Sequence, residues 1–303
     1  MLALALLVLG APLDSAVVRD IEVANGETLR VTTLGAGEPV VLIPGIFGSA
    51  FSYRTITRPL AARGYQTIVI EPLGYGRSSH PKHADYSFAA QTDRVGRALD
   101  ELGVTRALLV AQSTGAAIAF RLAIARPELV RGLLSIDGGP AETAATPGLR
   151  KAFSHGSLLA KLVFDESMLR SHVREEIVRN SGDTSWVTDA VIREYTAGQT
   201  ADMHGAINAL AQMAKSKEPA SLADKLHECA APVRLLVGTA PHPAGIGPDE
   251  RELLKAKLSN FKEVRVAGAG QYIQEEKPAV VIAAVTRLDR ASAGARSRLS
   301  SAQ

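Results

Sequence analysis

The chain has 303 residues, 46% of them hydrophobic, and a formal net charge of +3 at pH 7. This length and apolar content suffice for one large globular domain with an insertion, or for two small domains. The small charge, without a basic run interleaved with aromatic residues, argues against a nucleic-acid partner. Because Cys229 is the only cysteine, the sequence allows no internal disulfide and no thiolate metal site. No metal-ligand spacing occurs among the histidines either, so we expect no metal and no cofactor.

An apolar run opens the chain. Residues 1–10 (MLALALLVLG) are too few to span a bilayer and resemble the hydrophobic part of a secretory signal, with small residues at 11–16 as its cleavage region. No Lys or Arg precedes this run, so the alternatives are a start a few codons late or an N-terminal strand or helix. We expect no stable membrane span, and export (periplasmic or secreted) if residues 1–16 are a signal, otherwise a cytoplasmic protein.

Short runs of Val, Ile and Leu then alternate with amphipathic stretches along the chain. Asn25-Gly26 joins the first two runs and predicts an antiparallel hairpin at one edge. The predicted strands are residues 21–24, 29–33, 40–43, 67–70, 107–110, 133–136, 234–237 and 263–266. The helices predicted between them are residues 53–62, 88–102, 115–125, 251–258 and 279–288. This alternation predicts an α/β fold with a mostly parallel sheet flanked by helices on both faces.

The alternation stops between residues 139 and 231, where no convincing strand occurs. Apolar residues at helical spacing predict helices there, at residues 151–164, 167–180, 186–198 and 204–215. A helical block between two core strands predicts a cap and not a separate domain. The expected organisation is a core (17–138 and 232–289), a cap (139–231) and a disordered tail of small and polar residues (290–303).

A serine between a predicted strand and a predicted helix is the most informative chemical signal. Residues 108–110 predict a buried strand, residues 116–122 predict a helix, and Ser113 lies between them in the string AQSTG. Small residues two positions on either side allow the strand and helix backbones to approach closely. This pattern is typical of a nucleophile elbow, a sharp turn that exposes the serine hydroxyl at the edge of the sheet. The sequence therefore predicts Ser113 as a nucleophile.

Two glycine-rich loops follow predicted strands at the same edge. In residues 43–49 (IPGIFGS), the backbone N–H of Ile46 is a candidate to join the N–H of Thr114 in holding a developing oxyanion. The second loop, residues 74–79 (GYGRSS), predicts a tight turn beside the first, with no chemical role of its own.

Together these strings resemble the α/β-hydrolases with a cap insertion, in the branch of epoxide hydrolases, haloalkane dehalogenases and esterases. The resemblance covers residues 40–141 and 232–288, and residues 268–278 (GAGQYIQEEKP) match the family's last strand and helix. It implies an eight-stranded sheet, a Ser-acid-His triad in that chain order and an active site under the cap. Since the nucleophile is a serine and not an aspartate, it implies esterase-type chemistry on a small molecule. Glu275 and Glu276 are expected to begin the last helix.

The histidine that the resemblance implies is missing from its usual place. Gln271 stands there, and a glutamine amide forms hydrogen bonds but cannot take a proton near neutral pH. The acid usually follows the seventh strand, where Pro241 stands, but some relatives place it after the sixth, where Asp137 fits. Losing the triad histidine costs about 10⁶-fold in turnover in a well-studied serine protease. We therefore expect weak or unconventional catalysis.

Seven histidines occur in the chain, and one of them could replace the missing base. His242 follows the seventh predicted strand on the active-site edge and is the strongest candidate. The other candidates weighed are His155, His172 and His204 in the cap, and His80 and His83 in a loop expected at the surface. Two functions stay open: a hydrolase of small ester-like or acyl substrates, or a catalytically silent protein that binds a small apolar ligand under the cap. An interaction scaffold has no sequence feature in its favour.

Overall fold

One eight-stranded sheet forms the centre of the computed structural model, which describes residues 15–145, 150 and 165–300. The strands are β1 Val17–Ala24, β2 Glu27–Leu34, β3 Glu38–Ile43, β4 Tyr65–Ile70, β5 Ala107–Gln112, β6 Val130–Ile136, β7 Val233–Gly238 and β8 Phe261–Val266. Their order is β1-β2-β4-β3-β5-β6-β7-β8. β2 pairs antiparallel with β1 and with β4, and all other neighbours are parallel. The predicted α/β fold is confirmed, and each predicted strand lies within an observed one.

Helices cover both faces of the sheet. They are α1 Arg54–Ala61, which follows a 3₁₀ turn at Ala50–Tyr53, α2 Phe88–Glu101, α3 Gly115–Ala125, α8 Pro248–Lys257 and α10 Pro278–Ser300. Alternate residues of β3 show the two-sided burial: Val41 packs in a cluster with α2, α3 and α8, and Val40 in a cluster with α1 and α10. Both faces are therefore apolar, as expected for buried parallel strands.

Between β6 and β7 the chain forms helices α4 Glu166–Arg179, α5 Asp189–Ala201, α6 Met203–Met213 and the short α7 Leu222–Lys225. The first three lie where the sequence predicts helices, and the predicted helix at 151–164 is outside the described residues. The apolar side chains of α4 and α5 form their own cluster, against which Phe47 and Tyr272 of the core pack. This places α4 and α5 over the loops that follow β3 and β8.

The structure describes the predicted C-terminal tail up to Ser300 but only the last residues of the predicted N-terminal signal. The disordered tail predicted from residue 290 is wrong at its start, because α10 continues to Ser300. Its alanines favour a helix, and Ser292 is buried and donates from its hydroxyl to the Leu288 carbonyl at 2.8 Å. Residues 1–14 of the predicted signal lie outside the described residues. Among the helices that are described, none combines the length and apolar content needed to cross a bilayer.

Candidate functional site

Ser113 lies in the tight turn between β5 and α3. Its φ is 51°, a left-handed conformation that is rare for residues other than glycine. A Cβ at Gly115 would lie 2.5 Å from the carbonyl oxygen of Ile43, so only glycine lets the start of α3 approach β3 this closely. The N–H of Ser113 donates to the carbonyl of Ile136 at 3.1 Å, which fixes the turn to β6. The half-buried serine thus sits at the carboxyl edge of the sheet.

Two backbone N–H groups beside Ser113 donate no hydrogen bond to any described residue: those of Ile46 and Thr114. The loop that carries Ile46 abuts the serine, because a Cβ at Gly45 would lie 3.1 Å from the Cβ of Ser113. Thr114 directly precedes α3, an 11-residue helix whose N-terminal end favours negative charge. Free N–H groups in such positions have the chemistry that a developing oxyanion needs.

Gln271 contacts the serine directly. It lies in the loop between β8 and the short helix α9 (Ile273–Glu276), is buried, and donates from Nε2 to the Oγ of Ser113 at 3.1 Å. Its backbone N–H donates to the carbonyl of Asn180 at 2.7 Å. Neither the oxygen nor the nitrogen of a carboxamide side chain takes a proton near neutral pH. The contact therefore orients the hydroxyl without activating it as a nucleophile.

Asp137 and His242 form a second polar pair. Asp137 is fully buried at the end of β6, has a φ of 47°, and donates from its N–H to the carbonyl of Leu236 at 2.8 Å. The Nε2 of His242 lies 2.7 Å from the Oδ2 of Asp137, and its Nδ1 lies 2.7 Å from the carbonyl oxygen of Ala240. Gly245, at a φ of 109°, leaves room for the carboxylate, since a Cβ there would lie 2.3 Å from Oδ2.

The geometry of this pair is suited to sharing a proton. Because a carbonyl oxygen only accepts, the contact with Ala240 assigns the donor role to Nδ1, and the Nε2 contact then places a proton between the imidazole and the carboxylate in the protonated form of the pair. The hydrogen bond to Asp137 raises the pKa of His242 against the opposing effect of burial, and burial raises the pKa of Asp137. Both shifts mean that the folded pair binds its proton more tightly than the separate groups do. Both ring nitrogens are engaged, so neither is free to accept the proton of Ser113.

The predicted site residues thus meet as two pairs, Ser113 with Gln271 and Asp137 with His242. Of the other histidines weighed, His172 and His204 lie on α4 and α6, and His155 is outside the described residues. The prediction that His80 lies at the surface is wrong for its side chain, which is only 5% exposed and whose Nδ1 lies 3.4 Å from a carboxylate oxygen of Asp202. Within the described residues, no group of three or more His, Cys, Asp or Glu side chains could hold a metal ion.

The two glutamates after Gln271 have a different place from the predicted one. They lie in α9 and not at the start of α10, and both connect the core to the chain segment between β6 and β7. The buried carboxylate of Glu275 accepts from the hydroxyl of Tyr195 at 2.7 Å and from Arg54 at 2.5 Å, and burial raises its pKa. Glu276 accepts from the N–H of Gly182 at 2.8 Å. No local sequence signal distinguishes these carboxylates from ordinary helix-start residues.

Comparison with known proteins agrees with this architecture. Residues 38–173 match the family model for the alpha/beta hydrolase fold. The structure is similar to that of the epoxide hydrolase CorEH, with a TM-score of 0.77 and 18% identity over 90% of this chain and 98% of that one. In sequence, the chain is 32% identical to the sn-1-specific diacylglycerol lipase ABHD11 of Xenopus laevis, over 52% of this chain and 49% of that protein. It is 28% identical to the 2-hydroxymuconate semialdehyde hydrolase of Pseudomonas sp. (strain CF600), over 55% and 62% respectively. The chain thus has the α/β-hydrolase fold and spans about half the length of the curated relatives it matches.

Proposed function

We propose that the protein is a hydrolase of small ester-like or acyl substrates, with Ser113 as nucleophile and the N–H groups of Ile46 and Thr114 as oxyanion donors. The observation that carries this proposal is the left-handed turn that presents Ser113 beside two free backbone N–H groups. A serine so placed can attack a carbonyl carbon, with its proton passing to water, while the N–H groups stabilise the negative charge that develops on the carbonyl oxygen. The bond to the leaving alcohol then breaks, and water hydrolyses the acyl-serine to the acid and the free serine. The names of the relatives, a lipase and two hydrolases, support hydrolysis as the reaction class.

Gln271 makes this hydrolase a slow one. In the proposal it occupies the place of the catalytic histidine, and its 3.1 Å contact with the serine hydroxyl supports that assignment. Without a base, the oxyanion donors and substrate binding still supply about 10³–10⁴-fold over the reaction in water, judged from a serine protease stripped of its triad. Esters with a good leaving group are the expected substrates, since they least require a proton donor for departure.

A second function has an observation of its own. Both nitrogens of His242 are engaged, by Asp137 and Ala240, so the strongest candidate for a replacement base is not free. The chain would then bind a small apolar ligand under α4–α6 without turning it over. Phe47 and Tyr272, which follow Ile46 and Gln271 in the chain, are only partly buried where they pack against the apolar cluster of α4 and α5.

A fluorophosphonate probe separates the two functions, because it forms a covalent bond with a serine that is held beside oxyanion donors and reacts far more slowly with an ordinary surface serine. We expect slow labelling that disappears in Ser113→Ala and persists in Ser167→Ala, which removes an exposed serine of α4 as a matched control. If the folded protein takes no label between pH 6 and pH 9, roughly the range in which such serines react, the hydrolase proposal fails and the binding protein is favoured. Labelling that survives in Ser113→Ala would place the nucleophile elsewhere.

A further inference from the structure

One residue between β6 and β7 contacts both loops that carry the polar pairs. Asn180, directly after α4, accepts at its backbone carbonyl from the N–H of Gln271 at 2.7 Å. Its side-chain Oδ1 accepts from the N–H of Ala244, two residues after His242, at 2.8 Å, and its Nδ2 donates to the carbonyl of Glu176 at 2.8 Å. Asn180 is 2% exposed, so these bonds are shielded from water.

The local backbone is built for this contact. Asn180 has a φ of −105° and a ψ of 9°, so it ends α4, and its side chain folds back onto a carbonyl of the helix. A Cβ at Gly270 would lie 2.3 Å from the carbonyl oxygen of Asn180, and a Cβ at Gly182 would lie 2.3 Å from the carbonyl oxygen of Gly268. Glycine on both sides therefore lets the two segments approach closely enough for the Gln271 bond to form.

We propose that Asn180 is a positioning residue that sets both polar pairs from one point. Its carbonyl fixes the Gln271 loop, and hence the amide on Ser113. Its side chain fixes the His242 loop, and hence the imidazole on Asp137. This inference goes beyond the proposed function, because it requires neither turnover nor a nucleophilic serine.

Nuclear magnetic resonance on the full chain tests this role in Asn180→Leu, which approximately keeps the side-chain volume and removes both polar atoms. We expect the amide proton of Ala244 to exchange about tenfold faster, as for loss of one hydrogen bond. We also expect the pKa of His242 to fall towards its ordinary value, because the imidazole loses its fixed contact with Asp137. The other charged groups that act on this pair, Glu276 and Arg251, are unchanged by the substitution.

Two further variants serve as controls. Asn180→Asp keeps an acceptor for the N–H of Ala244, so its slow amide exchange should persist. Ser181→Ala removes a hydroxyl that donates only within α4, to the carbonyl of Ile177 at 2.8 Å, and should change neither readout. If Asn180→Leu does not fold, Asn180→Ser, which is too short to reach Ala244, is measured in its place.

The proposal is overturned if the folded variant keeps both the exchange rate of Ala244 and the pKa of His242. It is also overturned if Ser181→Ala changes them by as much. Neither measurement involves a substrate, so this failure is distinguishable from a failure to find hydrolysis.

Discussion

Replacing Gln271 with histidine is the most direct test of the proposed chemistry. The Nε2 atoms of glutamine and histidine lie at a similar reach from the backbone, so the imidazole can take over the 3.1 Å contact with the Oγ of Ser113. Unlike the amide, a neutral imidazole nitrogen has a lone pair that accepts the hydroxyl proton during attack. Gln271→His thereby adds the general base that the site lacks.

The size of the gain depends on whether the new histidine finds an acid. A complete triad is worth about 10⁶-fold in turnover, and loss of its aspartate alone costs about 3 × 10⁴-fold. The Oδ2 of Asp137 is occupied by His242, whereas its buried Oδ1 has no partner among the described residues. An unassisted imidazole at position 271 should therefore raise kcat by about 10²-fold, which is about 2.7 kcal/mol of barrier. A hydrogen bond between the new histidine and the Oδ1 of Asp137 would raise kcat further.

The assay is hydrolysis of short p-nitrophenyl esters by Gln271→His and by the wild-type chain, followed from pH 5 to pH 9, roughly one to three units either side of an ordinary histidine pKa. We expect a new rise in kcat/KM as the imidazole loses its proton. Gln271→Asn is the matched control, since it changes the side chain but adds no base. The double variant Gln271→His/Ser113→Ala should return to background. A folded Gln271→His chain with the wild-type rate would refute the reasoning, because position 271 could not then be that of the base.

Two other predictions concern stability and are measured by urea unfolding. The folded pKa of His242 is raised, so its bond to the carboxylate stabilises the fold fully below pH about 6.5, the ordinary histidine pKa, and this stabilisation is lost as the pH rises through the raised pKa. His242→Gln should abolish this pH dependence of the free energy of unfolding. An identical dependence in that variant would show that another group holds the proton. Gly115→Ala should lower the free energy of unfolding by about 1–3 kcal/mol, because its Cβ would overlap a carbonyl of β3 at 2.5 Å. Gly96→Ala in α2 is the control, because the atom nearest to a Cβ there lies at 3.7 Å, and this change should be neutral or stabilising. Equal losses of unfolding free energy in Gly115→Ala and Gly96→Ala would contradict the close approach of α3 to β3.

The sheet could be predicted from the sequence because its signals are local. Continuous apolar runs, Asn25-Gly26 at the hairpin and helical spacing between the runs each depend on a few neighbouring residues. The turn at Ser113 was equally readable, since its small neighbours lie within two positions of it. The helix at residues 290–300 could not be predicted in this way, because Ser292 packs beside Gly132 of β6, and these residues lie far apart in the chain.

The pairing of the polar side chains also needed the structure. The sequence predicts Asp137 and His242 as separate candidates, and only the loop through Gly245, at a φ of 109°, brings them within 2.7 Å. Asn180 gave no signal at all, because an asparagine at the end of a helix is common and its two partners come from distant loops. Long-range hydrogen bonds of this kind require a particular tertiary geometry, which the residue type alone does not reveal.

The bond between Asn180 and Gln271 has a thermodynamic consequence for any molecule that enters beneath α4. A molecule that displaced that helix from the sheet would break this bond and release the loop whose amide contacts Ser113. Where two such contacts are coupled, linkage is reciprocal, so a group attached to the hydroxyl that displaced the amide would loosen the helix by the same free energy. Binding of a molecule beneath α4 and modification of the Ser113 hydroxyl would then favour each other by one and the same coupling free energy.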